Sequence, residues 1–111
     1  MKSKFVNIEI DGVHYPVCFN INALREIEQA SGKSIGEIED FAKTITGMAT
    51  VAQIGINHGL RVSGKPSSDF LTINQVGDMF DLDGLTGIVN AIAEFLPDQK
   101  KAKAKAATEN R

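Results

Sequence analysis

Asp11-Gly12 lies between two runs in which every second residue is apolar, and no other dipeptide narrows the fold of this chain as sharply. Val6, Ile8 and Ile10 alternate with Asn7 and Glu9 before it, and Val13, Tyr15, Val17 and Phe19 alternate with His14, Pro16 and Cys18 after it. Asp and Gly tolerate the positive φ that both central residues of a two-residue hairpin turn require. Such a loop sets the register: Ile10 faces Val13, Ile8 faces Tyr15 and Val6 faces Val17. Every pair is apolar, so one face must be covered, because two strands alone are marginal in water. Pro16 falls opposite Asn7 in a pair that exchanges no hydrogen bonds, so its missing amide proton costs the hairpin nothing. A further strand beside residues 13–19 would lose a bond at Pro16, and that side is expected to be an exposed sheet edge.

The cover is expected from helices. In Phe19–Ile35, Asn20 or Asn22 can cap a helix whose buried stripe is Ile21, Leu24 and Ile27, with Ala23 and Ala30 beside it. Gly32 supplies a left-handed C-terminal cap, and Ser34-Ile35-Gly36-Glu37 fits the capping box of a second helix. That helix is predicted from about Ile35 to Ile45, with Ile38, Phe41, Ala42 and Ile45 as its stripe and a break at Thr46-Gly47. Met48–Val62 is a third helix, in which Gly55 and Gly59 either weaken the helix or permit a close neighbour. Ser63–Ser68 is a loop. Thr72-Ile73-Asn74-Gln75 is another capping box, opening a short helix through Val76, Met79 and Phe80. Asp81–Gly84 separates it from a last helix carrying Leu85, Ile88, Val89, Ile92, Phe95 and Leu96, which Pro97 ends. From Asp98 on there is no large apolar residue, and a flexible Lys/Ala-rich tail is expected.

The resulting expectation is an α+β chain: one globular domain over residues 1–97, with a two-stranded antiparallel hairpin (4–19) packed on four to five helices (20–96), and a mobile tail over 98–111. A length of 111 residues with 42% hydrophobic and 23% charged residues leaves room for one modest core. A formal charge of -2 gives no basic field for nucleic acid, and the tail lysines Lys100 to Lys105 have no interleaved aromatics. Cys18 is the only cysteine, so no intramolecular disulfide forms. The N-terminus has no apolar signal region, and no apolar run approaches the roughly 20 residues that span a bilayer. The expected setting is cytoplasmic, without membrane contact.

Each motif that invites chemistry has a plainer reading. Ser31-Gly32-Lys33-Ser34 contains the GKS of a phosphate loop, but Ile27 stands where that pattern needs glycine, and a helix is predicted where it needs a strand. Asp81, Asp83 and Gly84 match part of a calcium loop, yet Met79 and Asn90 occupy two of its ligand positions. His14, His58 and Cys18 form no metal-ligand spacing, and nothing near Cys18 in sequence would activate a nucleophile. Glu26, Glu28, Glu37, Glu39 and Asp40 crowd the first helix junction and read as an acidic face able to hold a basic partner segment. No cofactor, no metal and no catalytic residue is expected.

The hairpin-then-helix order carries a resemblance. Ile8, Ile10, Asp11, Gly12 and Tyr15, followed by Phe19, Ala23, Leu24, Glu28, Ser31 and Gly32, stand as I-x-I-D-G-x-x-Y and F-x-x-x-A-L-x-x-x-E-x-x-[ST]-G. Over about residues 5 to 36 this resembles the tail assembly chaperones of long-tailed bacteriophages and prophages. The resemblance implies a non-catalytic protein of the host bacterial cytoplasm. It would bind the tape-measure protein, assist assembly of tail-tube protein around it, self-associate, and be absent from the mature virion. The alternative is a structural phage component, such as a head-tail connector or minor tail protein. A chaperone without ATP chemistry works through apolar surface and free edges. The expected contact residues are therefore Tyr15, Pro16 and Cys18 on the hairpin edge, Glu28 and Glu37 at the acidic junction, and Phe41 for the grooves between helices.

Overall fold

Asp11 and Gly12 take φ angles of 53° and 82°, the left-handed pair that a tight hairpin turn demands. The structure, a computed structural model, describes residues 5–96. Strands β1 (Val6–Ile10) and β2 (Val13–Val17) pair antiparallel in the expected register, Val6 with Val17, Ile8 with Tyr15 and Ile10 with Val13. Five helices follow among the described residues, and no further strand does: α1 (Ile21–Ser31), α2 (Ile38–Phe41), α3 (Ile45–Val62), α4 (Ile73–Met79) and α5 (Leu82–Asn90). The architecture is α+β, a hairpin laid on helices. The expected tail over 98–111 lies outside the described residues.

Helix α3 is the centre, touching β2, α1, α4 and α5. Its glycines explain how a strand can lie on it. A β-carbon at Gly59 would fall on the Pro16 carbonyl, and one at Gly55 on the ring of Phe19. With hydrogen there instead, the end of β2 sits directly on the helix backbone, and the Cys18 amide donates to the Gly55 carbonyl at 2.9 Å. Phe19 is fully buried behind it, with the Phe95 ring edge-on at 6.1 Å. The edge expected along residues 13–19 is present, with no further strand on β2 among the described residues and Val13 and His14 exposed, but from Pro16 onward it is corrected: that part lies against α3 and does not face solvent.

Local signals set most boundaries. Asn20 caps α1 through its side-chain oxygen, which accepts from Ala23 N at 2.9 Å, and Gly32 closes it at φ 70°. The second helix is shorter than expected. A 3₁₀ turn over Ile35–Glu37 leads into α2, which stops at Phe41, and Thr44 caps α3 by accepting from Gly47 N at 2.9 Å. Gly47 is not a break but part of the first turn of α3, where a β-carbon would fall on the Phe41 carbonyl. Ile45, expected in the stripe, is 67% exposed because it opens α3 instead of closing α2. Ile21 is likewise 72% exposed, so the buried face of α1 is Ala23, Leu24 and Ile27.

Asn57 of α3 holds the segment before α4 as a strand would, its side chain donating to Leu71 O at 2.9 Å and accepting from Leu71 N at 2.8 Å. The Thr72 to Gln75 capping box is present. Asp81 caps α5 by accepting from Gly84 N at 2.8 Å, so α5 starts before Leu85. It gives way at Ala91–Glu94 to a 3₁₀ turn instead of running on to Leu96. The corner at Phe80–Gly84 packs on the hairpin, Tyr15 lying edge-on to Phe80 at 5.0 Å.

Candidate functional site

Between the α2 corner and the end of α5 the helices leave a groove of about 420 Å³. Ile35, Ile38 and Ala42 line it from the α2 side, Val89, Ile92 and Leu96 from the α5 side, and Val51 comes from α3. Its polar lining residues are Glu39 and Asn90. The groove lies where these two elements end: α2 stops at Phe41, and α5 gives way to a 3₁₀ turn after Asn90. Such an apolar channel with a carboxylate among its lining residues suits the greasy face of an amphipathic helix.

The acidic residues of the first helix junction are mostly engaged. Glu28 accepts from Ile35 N at 3.1 Å, tying the end of α1 to the start of the 3₁₀ turn, and Glu37 accepts from Ser34 N at 3.2 Å in the capping box. Asp40 lies 3.6 Å from Lys43. Glu26 lies 2.7 Å from Nε2 of His58, a ring only 4% exposed whose Nδ1 is buried without a partner among the described residues. With Glu26 ionised, the ring N–H donates to it. Glu39 remains at the groove. The junction is a set of caps first and a charged face second.

The six expected contact residues do not converge. Tyr15 and Pro16 pack inward against Phe80 and α3, while Glu28 and Glu37 are exposed but serve as caps. Phe41 is half-buried against the core. Cys18 is corrected outright: it is fully buried and offers a partner no surface. Burial pushes its thiol above the ordinary cysteine range, and the hydrogen bond from the Asn20 backbone offsets part of that rise. Such a thiol keeps its proton and is inert. The groove residues Val51, Val89 and Ile92 escaped sequence reasoning as a site, since each belongs to a stripe that periodicity assigns to the core.

The motif residues are structural in this geometry. Gly32 is the α1 cap, Lys33 N donates to Ser31 Oγ at 3.0 Å, and Asp81 is the α5 cap. Among the described residues no group of three or more His, Cys, Asp or Glu is placed to hold a metal ion. None of their helices is long and apolar enough to cross a membrane. A separate polar hollow is lined by Asn22, Arg25, Glu26, Gln29 and Arg61, with Arg25 donating to Asn22 at 3.1 Å. Comparison with family models, with curated proteins and with solved structures finds no match.

Proposed function

We propose that this protein is a non-catalytic tail assembly chaperone of a long-tailed bacteriophage or prophage. It binds the tape-measure protein in the host cytoplasm, assists assembly of tail-tube protein around it, and leaves before the virion is complete. The observation that carries the reading is the open apolar groove between α2 and α5, with Glu39 among its lining residues, a fitting berth for a helix with one greasy face and basic flanks. The residues that carry the resemblance support it from the other side. Asp11, Gly12, Phe19, Glu28 and Gly32 are the turn, the ring locked on α3 and the helix-end contacts that set hairpin and α1 in place, and the stretch they belong to ends where the groove begins, at Ile35 and Gly36.

The test is co-expression with the tape-measure protein of the phage or prophage whose genome carries this gene. The expected outcome is a soluble complex on size exclusion that Ala93→Glu abolishes. Ala93 lines the groove and is exposed, so a carboxylate there charges the berth without disturbing the core. An insoluble tape measure and no complex with the unaltered protein would overturn the reading. Mass spectrometry of purified virions should find the protein absent; its presence would favour a connector or minor tail component.

A further inference from the structure

The hairpin has two edges, and among the described residues only that of β2 meets a helix backbone. The two-residue turn makes Ile10–Val13, Ile8–Tyr15 and Val6–Val17 the pairs that exchange hydrogen bonds. The amides and carbonyls of Asn7 and Glu9 therefore point away from β2, off the outer side of β1, and none of them has a partner among the described residues. On the opposite side, the end of β2 from Pro16 onward lies against α3. Edge strands are normally protected by proline, lysine or a bulge. The only proline of this hairpin, Pro16, lies on the α3 side, and β1 reads Val-Asn-Ile-Glu-Ile with regular pairing throughout.

We propose that β1 pairs antiparallel with β1 of a second copy of this chain, joining two hairpins into one four-stranded sheet across a two-fold axis. The sequence of the strand selects its own register. Centred on Ile8, Asn7 of each copy faces Glu9 of the other, Val6 faces Ile10, and Ile8 faces Ile8. Amide then meets carboxylate on the solvent face, apolar meets apolar on the core face, and the outward groups of Asn7 and Glu9 bond each other. Sliding two residues one way sets Glu9 against Glu9, and sliding two the other way sets it against Phe5, so both neighbours lose the match. A two-fold operator makes every contact twice and closes the assembly at two copies. This surface is distinct from the groove and does not rest on the proposed function.

Sedimentation of the full chain over a concentration series tests it. The expected result is a monomer–dimer equilibrium. Glu9→Pro should abolish it, since the ring removes an outward amide that the internal ladder does not use. Asn7→Glu, which sets like charges opposite each other twice, should weaken the dimer roughly 2- to 30-fold, and Asn7→Lys should tighten it. Should Glu9→Pro fail to fold, the opposed responses of the two Asn7 variants decide the matter. A chain that stays monomeric at all concentrations, or a dimer indifferent to the Asn7 variants, overturns the pairing; in the first case the edge is left for a strand of another protein.

Discussion

Two hydrogen atoms place the hairpin. Gly55 and Gly59 give α3 a surface flat enough for the Phe19 ring and the Pro16 carbonyl to touch it, where alanine would have been the better helix former by about 1 kcal/mol each. Gly59→Ala gains that propensity but drives a methyl into backbone, and overpacking of this kind costs about 1–3 kcal/mol. Chemical denaturation should show a net loss of stability; a gain would mean that β2 can move off the helix freely. Cys18, pinned between these contacts, should resist thiol reagents in the native state and react only on unfolding. Its raised value carries a sign. The folded thiol holds its proton to higher pH than the unfolded one, so its contribution is complete below about pH 8.5 and fades as pH climbs through the folded value. Stability measured from pH 7 to 10 should fall more steeply for the unaltered protein than for Cys18→Ala, and parallel profiles would refute the assignment.

Helices this short depend on their ends. Asn20, Thr44, Thr72 and Asp81 each accept a hydrogen bond from an amide of the first turn, which is why elements of 7 to 18 residues begin where they do. Asp81→Ala should cost about 0.5–2 kcal/mol in thermal or chemical unfolding. Calcium should leave the midpoint of the unaltered protein unchanged, because the side chain that resembles a calcium ligand is occupied as a cap. A midpoint that rises with calcium would restore the metal reading. Capping also explains why the second helix is shorter than its periodicity suggests. Thr44 caps α3 and Ile45 opens it, whereas periodicity alone puts both at the end of the preceding apolar run and makes Thr46-Gly47 the break.

Across the molecule, hairpin and helices share one core. Val17 and Phe19 from the hairpin end, Ile27 from α1, Val51 and Ile56 from α3, Val76 from α4 and Ile88 from α5 are all fully buried in it. Unfolding should therefore be a single transition, with far-ultraviolet circular dichroism and the near-ultraviolet signal of Tyr15 giving coincident curves. A hairpin that melts first would separate them. The parts written in local chemistry were readable in advance: the Asp11-Gly12 turn and its register, the Gly32 cap, both capping boxes and the helix over Met48–Val62, because each depends on residues a few positions apart. What lay beyond the sequence were the facts of which surfaces meet. The choice of Gly55 and Gly59 as a bed for β2, the burial of Cys18, and the groove between α2 and α5 each join residues tens of positions apart. Alternation and periodicity say that a face is apolar, but only packing decides whether that face is filled, sealed or left open, since the free energy of covering it belongs to the pair of surfaces and not to either strand or helix alone.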